Sequence, residues 1–531
     1  MFAIAVFIGL YSYIIFFLGI LNLFYKQNII LVTLIYFLTI LFICYKKVNF
    51  DFKLGKLDKL SKIILALLSF HFLVNLLGVL GPEISFDALW YHLTLPKIFL
   101  QNHLIFHIPG NLLYYSDMPK LTEMLYVFGF SVGNETFAKL IHFSFGILTL
   151  IAIYKISRKF TSVKFSLLAC LIFYSNLVVG WESITAYVDL SRTFFEIMSF
   201  WGLVNWIENK KRKWLYVSGI MLGFAITAKL VSIGTILIFI GIIFYVALIK
   251  KEKMIELVKN SSVLIFSSLI APLPWFIFAF INTNNPIYPY FSGISVDSGN
   301  VLSFPNIHNF LKDFYALFLG LNDPISPIYL IILPLVVLCL KSFSSKAKIL
   351  VIYSFMAVFI WYLTQEQRGG RFIMPYLPVF SILCVISLDK FKNVNLRKYL
   401  LILVIFVSLV SIGYRGIANA KFLPVILGKE TKSQFLSTHL NFSFGDFYDT
   451  DNYFKTHISQ SDKVLLIGFH NLYYVEFPYI DSSWVKKGDK FNYIAVQNST
   501  LPNRFSNWNL IYYNKLTKVK LYRMKGKAWV Y

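Results

Sequence analysis

The chain has few charged residues, and few of these are acidic. Asp, Glu, Lys and Arg make up 14% of its 531 residues, whereas hydrophobic residues make up 57% and aromatic residues 18%. Together with a mean hydropathy of +0.65, this composition excludes a soluble globular protein and indicates a polytopic membrane protein. Only 26 residues are Asp or Glu, against 50 Lys and Arg. An acid beside an apolar segment therefore suggests a function.

Several signatures of soluble chemistry are also missing. The four cysteines lie within or at the end of apolar runs and lack metal-ligand spacing, so we expect neither a disulfide framework nor a redox role: Cys44, Cys170, Cys339 and Cys384. No His, Cys and carboxylate cluster has the spacing of a metal site, and no glycine-rich phosphate loop follows a strand. The sequence therefore predicts no bound metal, no cofactor and no direct use of a nucleotide sugar.

The net charge of +24 does not indicate a nucleic-acid partner. The Lys and Arg residues form short clusters between apolar runs, as in loops that lie against anionic lipid headgroups. The expected surroundings are therefore membrane lipids.

Apolar segments of helical length cover most of the first 416 residues. A window of about 19 residues predicts about thirteen membrane spans, near residues 3–24, 29–45, 61–81, 136–156, 163–181, 186–206, 214–231, 233–249, 260–281, 326–340, 349–364, 372–388 and 398–416. The stretch from Trp214 to Ile249 is too long for one span, so we expect a turn near Lys229–Ser232. The predicted fold is a mainly α, polytopic transmembrane helical bundle.

Charge alternation gives a predicted topology. With the N-terminus in the cytoplasm, every second loop is basic, and the loops 82–135, 182–185, 282–325 and 365–371 carry few cations. We therefore predict a multi-pass protein of the cytoplasmic membrane, in which 1–416 is the transmembrane module and 82–135 and 282–325 are its large outer loops.

The polar tail, residues 417–531, has strand-like runs separated by turn residues, for example 463–468, 492–496 and 509–513. It is predicted to be a small extracytoplasmic α/β domain.

The first large outer loop holds the most informative residues. Glu83 and Asp87 directly follow an apolar segment, where a helix is expected to emerge into water. Residues 87–104 mix aromatic and aliphatic side chains with polar ones, and so does a second segment that starts at Pro119 and carries Glu123. Both segments suit short helices lying in the membrane interface.

These residues and several later ones resemble the GT-C superfamily of glycosyltransferases that use polyprenyl-phosphate sugars, especially the branch of protein O-mannosyltransferases and lipid A aminoarabinose transferases. The matching motifs occur in the expected order over residues 80–390. They are Asp87 with Tyr91-His92 and Pro96-Lys97, Pro119 with Thr122-Glu123 and Tyr126, Ala138 to His142, Ala186 to Leu190, Thr227-Ala228-Lys229, and Arg371 to Pro375. The chain departs from the pattern in two ways. The acidic loop follows the third predicted helix, and no second acid stands beside Asp87.

The resemblance implies an inverting glycosyltransferase of the cell envelope, which moves a sugar from a polyprenyl-phosphate carrier to a hydroxyl of a glycan, lipid or protein acceptor on the extracytoplasmic face. Such a reaction needs a carboxylate to take the acceptor proton and cations to stabilise the departing phosphate. Asp87 is the candidate base, and N-capping of the interfacial helix is the alternative. Lys229 and Arg371 are the candidate phosphate ligands, and ordinary anchoring at helix ends is the alternative.

Four further residues are candidate substrate contacts, each with a structural alternative. His92, Lys97 and Glu123 lie on the two interfacial segments and have either a structural role or a contact with phosphate or sugar. Asp189 has either an ion pair with Arg192, three residues further along one helix face, or a substrate contact.

Two other classes of protein remain open from the sequence. A lipid or sugar transporter or flippase predicts paired halves with interrupted helices and charges near the middle of the membrane, and the chain shows no clear symmetry between halves. An O-antigen polymerase or ligase predicts a principal outer loop late in the chain, whereas the acidic loop here comes early.

Overall fold

The computed structural model describes residues 1–44, 57–292, 309–320, 323–364, 369–524 and 529–531. Parts of the predicted outer loops 282–325 and 365–371 therefore lie outside the described residues. Within the described part, α-helices account for most of the chain as far as Ala420, and every strand lies beyond residue 460.

The helices are numbered in chain order. Their bounds are α1 Phe2–Ile20, α2 Lys26–Cys44, α3 Lys59–Leu80, α4 Thr94–Asn102, α5 Leu121–Val132, α6 Glu135–Ser157, α7 Val163–Tyr174, α8 Leu177–Glu182, α9 Asp189–Asn209, α10 Lys213–Ala228, α11 Gly234–Lys250, α12 Met254–Ile270, α13 Leu273–Thr283, α14 Phe310–Leu319, α15 Pro327–Ile332, α16 Leu335–Cys339, α17 Ser345–Thr364, α18 Gly370–Ile373, α19 Leu377–Lys390, α20 Val394–Ala420, α21 Leu423–Ile426, α22 Lys432–His439 and α23 Tyr453–His457.

The expectation of a polytopic helical bundle is confirmed, with fewer full-length helices than predicted segments. Eight helices of the described chain are long and apolar enough to span a membrane, and α12 with α13 would be a ninth, bent by 62°. Pro272 lies at that bend, where it lacks the N–H that a continuous helix needs. The remaining apolar segments form shorter or more polar helices, such as α7, α9 and α10.

Burial distinguishes central helices from peripheral ones. The span Gly370–Lys390 is 89% buried within the protein, whereas the span Lys26–Ile43 is 6% buried. A helix that is apolar on every side and exposed on most of them suits contact with lipid tails. The centre is formed by α9, α10 and α19, where small residues allow close packing: a Cβ added to Gly202 of α9 would lie 2.9 Å from the backbone of Ser218 in α10.

The predicted turn near Lys229 is present. Helix α10 ends at Ala228, the backbone of Lys229 is extended (φ −155°, ψ 115°), and α11 begins at Gly234. Because the chain leaves helical geometry at Lys229, its side chain projects at the end of the bundle instead of along a helix face.

The loop 82–135, predicted to be the first outer loop, contains the expected short helices. A single π-helical turn, Ala88–His92, leads into α4, and α5 begins at Leu121. Glu83 holds the start of this loop, since one carboxylate oxygen accepts the backbone N–H of Ser85 (2.8 Å) and the other accepts that of Ala186 (2.6 Å). Glu83 therefore has a structural role.

The polar tail forms a small domain with a mixed five-stranded sheet, as its alternating pattern predicts. The strand order is β2-β1-β4-β6-β5; β1 pairs in parallel with β2 and β4, and β6 pairs antiparallel with β4 and β5. Strands β3 and β7 form a separate antiparallel pair. The bounds are β1 Val464–Ile467, β2 Tyr479–Asp481, β3 Lys490–Phe491, β4 Tyr493–Val496, β5 Asn509–Tyr513, β6 Lys520–Arg523 and β7 Trp529–Val530.

One segment of this domain, residues 471–475, is bound tightly to the outer loop. The Nζ of Lys97 donates to the carbonyl oxygens of Tyr473 (2.6 Å) and Val475 (2.8 Å). The hydroxyl of Tyr474 donates to the carbonyl oxygen of Glu83 (2.8 Å), and Glu135 accepts from the hydroxyl of Tyr473 (3.2 Å). These bonds hold the C-terminal domain above the helical bundle.

Replacing Lys97 with Met is expected to loosen this segment. The substitution keeps most of the apolar stem but removes both donors, so two buried carbonyl groups lose their partner at a cost of about 1–3 kcal/mol each. Amide hydrogen exchange of residues 471–475 should speed up at least tenfold. Lys515→Met, at an exposed position of the same domain, is the matched control, and unchanged exchange in the Lys97 variant would contradict this role.

Candidate active site

A cavity of about 740 Å³ lies between the helical bundle and the C-terminal domain. Its walls come from the π-helical turn, from the segment 111–123, from the break between α10 and α11, and from α18. Residues of the C-terminal domain between 469 and 483 complete it. Several distant parts of the sequence thus meet at one end of the bundle, as in many ligand sites.

Asp87 faces this cavity from the π-helical turn. Its carboxylate forms an ion pair with the Nη1 of Arg371 at 2.7 Å, and 18% of its side chain is exposed. Its backbone N–H donates to the hydroxyl of Tyr187 (3.1 Å). The side chain makes no capping hydrogen bond to the turn that follows it. The geometry therefore supports a carboxylate held towards the cavity instead of the N-cap alternative.

Arg371 joins Asp87 to two deeper acids. Its Nε lies 3.1 Å from Oδ2 of Asp189 and 3.6 Å from Oε1 of Glu182, and both acids are fully buried. The guanidinium group also lies over the ring of Tyr187, 4.6 Å from its centroid. A planar group with five donors suits this bridging position better than an ammonium group would.

Lys229 completes the group of charges. Its Nζ donates to Oδ1 of Asp189 at 2.6 Å, and the side chain is 18% exposed to the cavity side. Because Lys229 is paired with a buried acid, snorkelling towards water does not explain its position. Asp189 therefore orients Arg371 through one carboxylate oxygen and Lys229 through the other.

This arrangement answers the question about Asp189 and Arg192. Arg192 lies 3.5 Å from Glu196, one turn further along α9, and donates to the hydroxyl of Tyr376. Asp189 instead pairs with Lys229 and Arg371. Of the two alternatives for Asp189, the ion pair with Arg192 is not formed, because Lys229, at the break between α10 and α11, and Arg371 of α18 pair with this acid instead.

A second polar group, formed by His92 and Glu123, also lines the cavity. The Nδ1 of His92 is 2.8 Å from Oε1 of Glu123, and the Nε2 of His92 and Oε2 of Glu123 are buried without a hydrogen-bond partner. Nearby Lys120 donates to the carbonyl oxygens of Tyr115 and Met118. Burial lowers the pKa of Lys120 to about 8.

The structure brings most of the predicted site residues together. The cavity is lined by Asp87, Lys229, Arg371, His92 and Glu123.

Two predicted site residues lie elsewhere. Asp189 is behind the wall and acts through the cations that it binds. Lys97 is a correction to the predicted substrate contacts, because its amino group is satisfied by two carbonyl groups of the C-terminal domain. Burial lowers the pKa of Lys97 to about 8, and the neutral amine would keep the donors that these bonds need.

Two charged residues of the site were missed at the sequence level. Lys120 directly follows Pro119, which was noted only as part of a motif. Glu182 ends the apolar run that starts at 163, so the rule applied to Asp87, an acid directly after an apolar segment, would also have found it. Tyr91 was noted only as part of a motif, and Tyr115, whose ring stacks 3.7 Å from that of Tyr91 in the cavity wall, gave no distinct signal among 54 Phe and 33 Tyr.

No group of three or more His, Cys, Asp or Glu in the described residues is placed to hold a metal ion. The absence of a metal stays a prediction.

Comparison with known proteins agrees with this fold. Residues 121–278 match the family model described as dolichyl-phosphate-mannose-protein mannosyltransferase. That segment contains Glu123, Asp189 and Lys229 but neither Asp87 nor Arg371. No curated protein sequence matches the chain significantly.

Solved structures match over nearly the whole chain. The crystal structure of ArnT from Cupriavidus metallidurans bound to undecaprenyl phosphate has a TM-score of 0.61 and 12% identity, and the match covers 87% of this chain and 98% of that one. The apo state of ArnT gives a TM-score of 0.57 at 12% identity, with coverage of 88% and 98%. The archaeal oligosaccharyltransferase AglB from Archaeoglobus fulgidus is more distant, at a TM-score of 0.46 and 12% identity, with coverage of 83% and 70%.

The match of residues 121–278 to the family model and the fold shared with ArnT both agree with the resemblance to the GT-C superfamily. The chain has the fold of ArnT, a polytopic helical bundle with a C-terminal domain. At 12% identity this similarity establishes the fold, and the reaction has to be argued from the cavity.

Proposed function

We propose that the protein is an inverting glycosyltransferase that transfers a sugar from a polyprenyl-phosphate carrier to an acceptor hydroxyl on the extracytoplasmic face of the membrane. The observation that carries the proposal is the shared cavity in which the carboxylate of Asp87 lies 2.7 Å from Arg371, beside Lys229. A base and phosphate-binding cations are the two kinds of group that this reaction needs.

In the proposed reaction the acceptor oxygen attacks the anomeric carbon from the face opposite the phosphate. A new bond forms between that oxygen and carbon while the bond between carbon and phosphate oxygen breaks, and its electron pair leaves with the phosphate. The carboxylate of Asp87 takes the acceptor proton. Attack from the opposite face inverts the anomeric configuration.

Arg371 has a second role in this scheme. Without donor, its guanidinium group is shared among Asp87, Asp189 and Glu182. A donor phosphate that binds Arg371 competes with Asp87 for the Nη1 donor, and this frees the carboxylate to accept a proton. Asp189 keeps Arg371 and Lys229 in place during the exchange, since it binds both from behind.

Three findings support a lipid-linked donor. The family model concerns an enzyme that uses dolichyl-phosphate mannose, the ArnT structure with the same fold contains undecaprenyl phosphate, and the cavity opens at the end of a membrane-spanning bundle. A transporter would need no base beside its phosphate-binding cations, and an O-antigen polymerase or ligase is not suggested by either comparison.

The direct test is sugar transfer by the purified full chain in proteoliposomes. We expect transfer from at least one member of a panel of undecaprenyl-phosphate sugars, and none from the matching nucleotide sugars. Proton NMR of the product should show an anomeric configuration opposite to that of the donor. Translocation of the carrier without release of undecaprenyl phosphate would favour a flippase, and a retained configuration would contradict the inverting mechanism.

A further inference from the structure

We infer that the C-terminal domain forms the acceptor half of the cavity and binds an uncharged, hydroxyl-rich acceptor such as a glycan through His470, Asp481 and Ser483. This inference rests on the proposed function, because it concerns the second substrate of the same cavity. The three side chains line the same cavity as Lys229.

The ring of His470 packs against the turn that carries Asp87. Its centroid lies 4.8 Å from that of Phe86, with the rings nearly parallel at 26°, and 4.5 Å from that of Trp90. Phe86 directly precedes Asp87 in sequence. A ligand bound at His470 is therefore next to the proposed base.

A chain of hydrogen bonds fixes which nitrogen of His470 carries the proton. The Nδ2 of Asn471 donates to Oδ1 of Asp446 (2.6 Å), so the amide oxygen of Asn471 is left to accept from the Nδ1 of His470 (2.9 Å). A neutral imidazole that donates through Nδ1 presents Nε2 as an acceptor. Asn471 is thus a positioning residue, and the Nε2 of a neutral His470 can accept a hydrogen bond from a hydroxyl group.

The other two side chains, Asp481 and Ser483, lie close together, and their polar groups are available to a ligand. Asp481 is 3% exposed, and one of its carboxylate oxygens accepts the backbone N–H of Ser483 (2.8 Å). The Oγ of Ser483 is buried near this carboxylate without a hydrogen bond of good geometry. An unpaired buried hydroxyl is costly unless a ligand satisfies it.

The backbone of Ser483 packs directly against the backbone of Gly110 in the outer loop. Gly110 has φ +87°, and an added Cβ would lie 2.0 Å from the carbonyl oxygen of Ser483. Only glycine allows this approach. The close contact places Ser483 at the cavity wall.

The chemistry of these groups points to the class of acceptor. An imidazole Nε2 and a carboxylate accept hydrogen bonds, and among the residues that this domain contributes to the cavity none is Lys or Arg. Such a wall binds ligands that donate many hydrogen bonds and carry no negative charge. The exposed faces of Phe86 and Trp90 add apolar surface of the kind that lines most small-molecule sites. A phosphate group on the part of the acceptor that lies against this wall would be repelled by the carboxylate of Asp481.

The test measures binding separately from transfer, with the full chain in nanodiscs. The probes are unmodified tetrasaccharides of glucose, mannose and N-acetylglucosamine, the same sugars carrying a phosphate, and undecaprenyl phosphate alone. We expect saturable binding of at least one unmodified tetrasaccharide. His470→Ala and Ser483→Ala should each weaken that binding about tenfold, with unchanged affinity for undecaprenyl phosphate.

His457→Ala is the matched control, because His457 is exposed in the same domain and stacks on Tyr453 away from the cavity. Unaltered glycan binding by both cavity variants, binding of phosphorylated sugars only, or binding of none would overturn the inference. Failure of the proposed function looks different: unmodified glycan would bind in a His470-dependent way, but no sugar would be transferred from any lipid-linked donor.

Discussion

Replacing Asp87 with Asn is expected to lower the rate of sugar transfer between about 10²-fold and 10⁴-fold, the range that a general base contributes. Asn has nearly the same shape as Asp but cannot take the acceptor proton. The loss should appear in kcat, while the affinity for undecaprenyl phosphate stays the same or rises, because Arg371 no longer shares its Nη1 with a carboxylate. Initial rates with saturating donor and acceptor measure the effect.

Asp451→Asn is the control for this substitution. Asp451 is exposed in the C-terminal domain and binds the hydroxyl of Tyr512, so its replacement should leave transfer unchanged. Folding of both variants is checked by size-exclusion chromatography and thermal unfolding in the same detergent. Transfer at the wild-type rate by the Asp87 variant would reject Asp87 as the base.

Replacing Arg371 with Gln is expected to have two large effects. The variant loses the guanidinium group proposed to bind the phosphate, so its affinity for undecaprenyl phosphate should fall at least 100-fold, in line with a lost charge-assisted pair. It also leaves Asp189 and Glu182 buried with one cation fewer. Removing one partner from a buried ion pair costs about 3–5 kcal/mol of folding stability, so the melting temperature should fall as well.

Arg371→Lys separates the two effects. A lysine keeps the positive charge near the acids, which should restore most of the melting temperature, but it cannot reach Asp87, Asp189 and a phosphate through a fork of donors. Carrier binding should therefore remain weak in this variant. Arg504→Gln, at an exposed position against Tyr531, serves as the control. If the Arg371→Gln variant bound undecaprenyl phosphate normally, the assignment of the phosphate site would be wrong.

Much of the fold could be predicted because a membrane restricts the options. Only helices satisfy their own backbone groups in lipid, so apolar length alone gave the bundle. The break at Lys229 followed from the length of the apolar stretch around it. The short helices of the outer loop followed from mixed aromatic and polar residues at the end of a span. The bend at Pro272 was not predicted, because an apolar run continues through it.

The site was only partly predictable, because pairings depend on how helices pack. Asp87, Lys229 and Arg371 were found because they are charged residues beside apolar segments. This signal can be read from the sequence without knowing which helices pack together. The pairing of Asp189 with Lys229 was missed, since spacing along α9 offered only Arg192 as an ionic partner. Lys97 was assigned to the substrate because its real partners could not be predicted. They are carbonyl groups of the C-terminal domain, 376 and 378 positions away in the sequence. His470 had no sequence signal, because its role comes from the contact between two parts of the fold.

The most direct test of the central claim is a structure of the full chain with undecaprenyl phosphate bound in nanodiscs. The account predicts phosphate oxygens at about 2.7–3.2 Å, hydrogen-bond distance, from Arg371 and from Lys229 or Lys120, with the Asp87 carboxylate released from Arg371 and facing the space for the sugar. A phosphate bound outside this cavity, or an Asp87 carboxylate turned away from it, would contradict the account.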